Sequence, residues 1–135
     1  MRFYAKFIST KIGKTIANYG VMMEYHFEPD GNVLKVYLTG RLVASCSEEF
    51  KDAMFARLKD SKKVLFNLEK MDYVDSSGLG ALVSILQWMN TNSGTVKLCS
   101  VQPRPKIVFD ITKVYRIFDI YDKEADAMSA FASLP

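Results

Sequence analysis

The pattern of apolar and polar residues predicts strands and helices in alternation along most of the chain. Strands are predicted where apolar residues alternate or run together, at residues 24–27, 33–38, 64–68, 95–99 and 115–121. The run 64–68 is apolar on both faces, as in the central strand of a covered sheet, and we expect a loop over 69–74 after it. Helices between such strands predict the α/β class, with a mixed sheet of four to five strands and about four helices packed against it.

The first two predicted helices have strong apolar faces. The first carries a core-facing stripe of Phe50, Ala53, Met54 and Leu58. Ser45 and Glu48 at its start have the spacing of a capping box. The second carries a stripe of Leu79, Leu82, Val83, Leu86 and Met89. Its other sides, which include Ile85 and Trp88, are apolar too and could support a homodimer or a partner contact.

The carboxyl-terminal part of the chain predicts two further helices. Pro103 and Pro105 open the third, because proline is tolerated in a first turn. Asp122 is expected to cap the fourth. The core residues of that last helix are predicted to be Ala125, Met128, Phe131 and Ala132.

Positive charge is concentrated at the amino-terminal end of this chain of 135 residues, a length that suits one globular domain. Residues 1–22 carry four basic residues and no acid, whereas residues 23–135 carry 14 basic and 15 acidic residues. We therefore expect a basic extension over 1–22, which need not belong to the domain, and a domain over 23–135. The even charge of that domain argues against direct nucleic-acid binding, and no window is apolar enough for a membrane span.

The cysteines indicate neither a metal site nor a redox motif. Cys46 and Cys99 lie far apart in the sequence, and His26 is the one other soft ligand. We therefore expect no cofactor. Two free thiols without a secretory signal pattern fit a reducing cytoplasm.

The most informative stretch is 75–80, DSSGLG, at the predicted start of the second helix. Hydroxyls commonly cap a helix, and Ser77 is expected either to do so or to bond the loop. A helix start also offers free backbone amides and a positive dipole end, which together favour a phosphate. A serine there is accessible to a kinase. Gly78 and Gly80 are expected to allow close approach of the backbone.

A catalytic serine is the alternative use of this stretch. The nucleophile elbow Gly-x-Ser-x-Gly is absent around Ser76 and Ser77, and His26 lies in a predicted edge strand. The Gly-Lys-Ser/Thr of a phosphate-binding loop is also missing. Asp72 and Asp75 could pair as carboxylates, although a solvated loop is the commoner case. We therefore expect no enzymatic activity.

The segment 64–82, with Met71-Asp72-Tyr73-Val74 before the DSSGLG motif, resembles the signature of the STAS domain of bacterial anti-sigma factor antagonists. The sequence at 38–42 is similar to the family's Gly-x-Leu turn. Residues 93–98 and 109–121 resemble its later strands and closing helix. The resemblance covers roughly residues 24–133.

The resemblance implies a cytoplasmic switch protein. In such antagonists the serine after the motif aspartate, here Ser76, is phosphorylated by a partner that is both anti-sigma factor and ATP-dependent serine kinase. The unphosphorylated antagonist captures that partner and frees a sigma factor, and a metal-dependent serine phosphatase reverses the modification. ATP and Mg²⁺ belong to the kinase. The partner-binding or switch loop would then comprise Asp75, Ser77, Gly78, Leu79, Gly80, Arg41 and Val43.

Val43 departs from the family pattern, in which an acid often follows the Gly-x-Leu turn near the phosphorylated serine. If that acid orients the kinase's nucleotide or metal, Val43 weakens phosphorylation of Ser76. The alternative is a STAS interaction or scaffold subunit without serine regulation, for example in a stress-signalling or lipid-transport complex.

Overall fold

The computed structural model describes residues 11–17 and 20–134. Within those residues, six strands form one sheet in the order β1-β2-β3-β4-β5-β6. The elements are β1 Lys11–Ala17, β2 Gly20–Asp30, β3 Val33–Leu42, α1 Ala44–Leu58, β4 Lys63–Val74, α2 Ser76–Thr91, β5 Thr95–Cys99, α3 Pro103–Thr112, a 3-10 turn Val114–Arg116, β6 Asp119–Tyr121 and α4 Glu124–Ala132. The predicted α/β class is confirmed, with β2 to β6 as its five strands and β1 as an added edge strand.

The sheet is mixed. β1, β2 and β3 pair antiparallel, and β3 to β6 pair parallel. A hairpin of two residues joins β2 to β3, and Gly31 at φ +61° supplies the left-handed conformation that this turn needs. Of the predicted extension 1–22, residues 1–10, 18 and 19 lie outside the described residues. Residues 11–17 form β1, and β2 already begins at Gly20.

Alternate residues of the central strands serve two layers. The larger core joins one sheet face to α1, α2 and α3, with Phe66 of β4, Phe50, Ile85 and Phe109 all buried. On the other face α4 buries Phe131 against a smaller group of strand residues. Because side chains alternate along a strand, the apolar run 64–68 feeds both cores, which confirms its prediction as a buried central strand.

A half-buried polar cluster lies beneath the start of α4. The Glu124 carboxylate accepts hydrogen bonds from Tyr37 Oη at 2.9 Å, Asn67 Nδ2 at 2.9 Å and Lys35 Nζ at 3.2 Å. Burial alone would raise the pKa of Glu124, but these donors hold it below its ordinary value. Burial, together with the bond to Glu124, raises the pKa of Tyr37 to about 12. The cluster therefore favours an ionised Glu124.

The predicted loop over 69–74 is wrong, because β4 continues through it to Val74. The pairing of β4 with β3 shifts register twice, with Tyr37↔Asn67 followed by Thr39↔Lys70, and Gly40↔Met71 followed by Arg41↔Tyr73. Each shift adds one residue to β4, as in a β-bulge. The buried residues of this part of β4 are therefore spaced by three, at Leu68, Met71 and Val74. Because buried and exposed residues do not alternate in this segment, its sequence pattern does not indicate a strand.

The last predicted strand is shorter than expected. Only 119–121 form β6, and 114–116 form the 3-10 turn. Tyr115 and Ile117 are consequently exposed. Their apolar character made the segment resemble a strand.

Two predicted caps are also wrong. The capping position of α1 is Val43, whose side chain makes no capping hydrogen bond. Because the helix already begins at Ala44, Ser45 lies inside it and does not cap it. α4 follows Lys123 rather than Asp122, again without a side-chain cap. In α4 the buried residues are Ala127 and Phe131, whereas Ala125 and Ala132 are exposed.

The apolar outer face predicted for α2 is covered. Ile85 is fully buried, and Trp88 is half-buried with its ring 5.0 Å from that of Phe55 on α1. A helix that is apolar all round packs on two sides, here against the sheet and against α1. Ile85 therefore does not belong to an outer face, whereas the homodimer or partner contact suggested for this side of α2 stays a prediction.

Candidate functional site

The DSSGLG stretch lies at the carboxyl edge of the sheet, where two strands and two helices meet. β3 and β4 end in register at Leu42 and Val74, and the Asp75 N–H donates to the Leu42 carbonyl at 3.2 Å. α1 and α2 each begin within two residues of these strand ends. The amino termini of the two helices are therefore held beside each other.

One carboxylate joins those two helix starts. Asp75 is extended, at φ −103° and ψ −176°, and caps α2, with Oδ1 accepting from the Gly78 N–H at 2.8 Å. Its Oδ2 accepts from the Ala44 N–H, the first amide of α1, at 3.0 Å. This second bond satisfies one of the first amides of α1, a helix that has no side-chain cap of its own.

The two serines have free side chains as a result. Ser76 and Ser77 occupy the first two positions of α2 and are exposed. Within the part of the chain that the structure describes, neither hydroxyl makes a hydrogen bond. The prediction that Ser77 caps the helix or bonds the loop is wrong, because Asp75 performs the capping. Both hydroxyls are accessible to a reagent or a partner.

The two glycines of the motif differ. A Cβ at Gly78 would overlap the Leu42 carbonyl oxygen and would lie 2.8 Å from the carbonyl carbon, so α2 touches the backbone of β3 there. At Gly80 a Cβ would meet nothing within 4 Å. Close approach is thus confirmed for Gly78 and wrong for Gly80, which is exposed.

Basic and aromatic side chains flank the same edge. The guanidinium of Arg41, on β3, lies 5.4 Å from the ring centre of Tyr73 on β4, and that of Arg104, on α3, lies 5.3 Å from it. Sequence reasoning identified Arg41 but missed Tyr73 and Arg104. The bulges of β4 bring Tyr73 opposite Arg41, and no local pattern links Arg104 to either residue.

Val43 and Leu79 are the remaining predicted site residues. Val43 is half-buried at the start of α1, and its carbonyl accepts from the N–H groups of Cys46 and Ser47 at 3.0 and 2.9 Å. Leu79 points into the core, with 4% of its surface exposed. The structure thus places Asp75, Ser76, Arg41 and Val43 at one edge and turns Leu79 away from it.

The chemical groups at this edge suit recognition rather than metal binding. Among the described residues, no three His, Cys, Asp or Glu side chains are grouped so that they could hold a metal ion. Asp75 uses both oxygens on helix amides, and Asp72 is exposed. His26 stacks on Tyr37, with ring centres 4.7 Å apart. In the described ranges, every helix is too short or too polar to cross a membrane.

The chain is similar to known proteins in both sequence and fold. The chain is 27% identical over 114 residues to the anti-sigma F factor antagonist of Paenibacillus polymyxa. The matched region covers 83% of this chain and 94% of that protein. An anti-sigma factor antagonist from Mycobacterium paratuberculosis shares the fold, with a TM-score of 0.73 at 18% identity over 80% of this chain and 92% of that one. So does Bacillus SpoIIAA in its phosphorylated form, with a TM-score of 0.60 at 17% identity over 79% and 98%. The STAS domain model matches residues 26–127, and the chain belongs to the STAS domain family.

Proposed function

We propose that this chain is an anti-sigma factor antagonist that binds an anti-sigma factor with serine kinase activity and is released by phosphorylation at Ser76. The observation that carries the proposal is the exposed, unbonded hydroxyl of Ser76 directly after the capping residue Asp75. The P. polymyxa relative carries the name of such an antagonist, and SpoIIAA exists in a phosphorylated form. The protein would act in the cytoplasm, as a binding partner rather than as an enzyme.

The start of α2 is suited to hold a phosphate. A helix leaves its first amides without intrahelical acceptors, and Asp75 accepts from only one of them, that of Gly78. The amides of Ser76 and Ser77 remain for a phosphate on Ser76, and the positive end of the helix dipole favours its charge. Phosphoserine would therefore be stable in the free protein.

The same phosphate would oppose binding. It adds about −1.5 to −2 charges at neutral pH beside the Asp75 carboxylate. In a complex this charge must leave water and faces whatever acidic groups the partner presents. Burying an unpaired charge commonly costs several kcal/mol, which is enough to dissociate a moderately tight complex.

A substitution at Val43 tests whether this edge affects phosphorylation by the kinase. Val43 precedes Ala44, whose N–H donates a hydrogen bond to the Asp75 carboxylate. An acid at position 43 would therefore lie at the same edge of the sheet as Ser76. If such an acid helps to orient the kinase's nucleotide or metal, Val43→Asp should accelerate phosphoryl transfer to Ser76. Ser45→Asp, which places an acid inside the exposed start of α1, is the matched control.

The direct experiment incubates the purified chain with its cognate kinase, ATP and Mg²⁺ and identifies the modified residue by mass spectrometry. We expect one phosphoryl group on Ser76, none in Ser76→Ala, and normal modification of Ser77→Ala. A serine phosphatase of the same regulatory system should remove it. No transfer by a kinase that phosphorylates another antagonist under the same conditions would exclude the switch.

A STAS interaction subunit without serine regulation is the second candidate, and Val43 is the residue that favours it. Its partner should bind Ser76→Asp and the wild-type chain equally. The antagonist instead predicts that Ser76→Asp loses the anti-sigma factor while Ser77→Asp loses less. Isothermal titration calorimetry with the three chains separates the two functions.

A further inference from the structure

Four large apolar side chains are exposed within one short segment, which comprises α3 and the residues just after it. The exposed fractions are 58% for Ile107, 74% for Ile111, 48% for Tyr115 and 52% for Ile117. Among the other residues of 23–134, only Leu134, at 37%, is an exposed large hydrophobic residue. We call these four residues the α3 surface. Such a concentration is unusual on a soluble domain and indicates an interaction site.

The fold itself does not need these side chains. α3 packs on the core through Pro105 and Phe109, which are buried. Ile107 and Ile111, one turn apart, lie on the opposite side of the helix. α3 therefore has apolar residues along the middle of its solvent-facing side, where a helix of a monomeric domain is normally polar.

Positive charge surrounds the α3 surface. The basic residues of 103–117 are Arg104, Lys106, Lys113 and Arg116, all exposed. The only acid in that segment is Asp110, which pairs with Lys106 at 2.9 Å. The segment has a net charge of +3, whereas the rest of 23–135 has a net charge of −4, so the expectation of an evenly charged domain is wrong for this segment. The domain therefore presents this side preferentially to an anionic object.

We propose that the α3 surface binds the surface of a bilayer that contains anionic lipids. Isoleucines would enter the boundary between headgroups and acyl chains, and the flanking lysines and arginines would contact lipid phosphates. This inference is tested separately from the function proposed for Ser76, because it uses no residue of the DSSGLG motif and its test variants leave Arg104, which also flanks that site, unchanged.

Other occupants agree less well with this surface. A second copy would bring two basic surfaces together. Nucleic acid would accept the charge but would leave the isoleucines in water. Protein interfaces are depleted in lysine, whereas interfacial helices combine lysine and arginine with large apolar residues.

The test is sedimentation of the full chain with vesicles of POPC alone or of POPC with POPG. We expect binding only to the vesicles with POPG, and its loss in Ile107→Ser/Ile111→Ser. Leu134→Ser, which removes an exposed apolar side chain outside the α3 surface, should bind like the wild type. Circular dichroism should show the same melting temperature for all chains, because the replaced side chains are exposed.

The charge requirement is tested by Lys113→Glu/Arg116→Glu. Its binding should fall by about 30-fold or more, because each basic residue near an anionic bilayer contributes on the order of 1 kcal/mol. Lys59→Glu/Lys70→Glu changes the net charge equally at exposed positions outside the α3 surface and should bind far better.

Two results would overturn the proposal. One is a wild-type chain that does not bind POPG vesicles even at low salt. The other is binding that survives both serine substitutions but is lost on charge reversal, because this pattern identifies a general polyanion surface, such as one for an acidic protein. Neither result bears on phosphorylation of Ser76.

Discussion

The Asp75 carboxylate accepts a hydrogen bond from the amide of Ala44 at 3.0 Å, although the two residues are 31 positions apart in the sequence. Its other oxygen holds the start of its own helix at Gly78. A single side chain thus satisfies one amide in each of two helices and fixes the position of the serines that follow it. Asp75 is therefore a structural residue of the site, whatever it contacts in a partner.

Replacement of Asp75 by alanine should destabilise the protein. Loss of a helix cap costs about 0.5–2 kcal/mol, and a second amide loses its acceptor here, so we expect the free energy of unfolding to fall by about 2–3 kcal/mol. Urea denaturation measures it. Asp72→Ala removes an exposed carboxylate from the same segment and should change stability little. Equal stability of the two variants would contradict the bridging role.

The two glycines of the motif should respond to alanine in opposite ways. Gly78→Ala forces a Cβ against the Leu42 carbonyl and should cost on the order of 1–3 kcal/mol. Gly80→Ala has open space inside an exposed part of a helix and should stabilise by about 0.5–1 kcal/mol. Thermal unfolding of the two variants and the wild-type chain measures both changes in stability. A Gly78→Ala variant as stable as Gly80→Ala would refute the close contact with β3.

Glu124 should make stability depend on pH in the acid range. Its pKa is lower in the folded chain than its ordinary value, so its contribution is present above that ordinary value and is lost as the pH falls through the folded pKa. Glu124→Gln should therefore be less stable at neutral pH and lose less stability on acidification.

The matched control is Glu48→Gln, which removes an exposed carboxylate paired with Lys51. Exposed pairs contribute little, so its stability at each pH should follow that of the wild type. Urea denaturation at a series of pH values compares the three chains. Parallel pH profiles for Glu124→Gln and the wild type would contradict the role of the polar cluster.

Both thiols should be protected in the folded state. Cys46 and Cys99 are buried, and burial raises the pKa of Cys99 to about 11, so little thiolate is present in mildly alkaline solution. We expect Ellman's reagent to modify neither cysteine in the native chain and both in urea. Cys99 lies in the smaller core beneath α4, together with Phe131. Rapid labelling of Cys99 without denaturant would therefore contradict this packing of α4.

Sequence reasoning recovered the features that depend on local pattern. The buried run 64–68, the helix from the DSSGLG motif and the proline-initiated α3 all follow from periodicity and from residues within one turn. The class of fold follows from their order. Each of these features needs no knowledge of which segments meet in space.

The features that were missed depend on distant residues. Ser45 appeared to cap α1 because capping patterns compare only neighbouring residues, whereas the first amide of α1 is bonded by Asp75, which caps another helix. Tyr73 appeared to lie in a loop because the two bulges of β4 change the burial period from two to three. Ile85 appeared to be exposed because the packing of α1 on α2 is not written in either helix alone.

The contact between Gly78 and Leu42 affects how a binding partner would detect a phosphate at Ser76. α2 already touches the backbone of β3 and is joined to α1 through Asp75, and both contacts oppose a tilt of the helix. A modification at Ser76 would then act as an electrostatic signal at a fixed point, without a change of shape. Salt that shortens the screening length below about 10 Å should weaken such a signal, whereas a conformational one would persist.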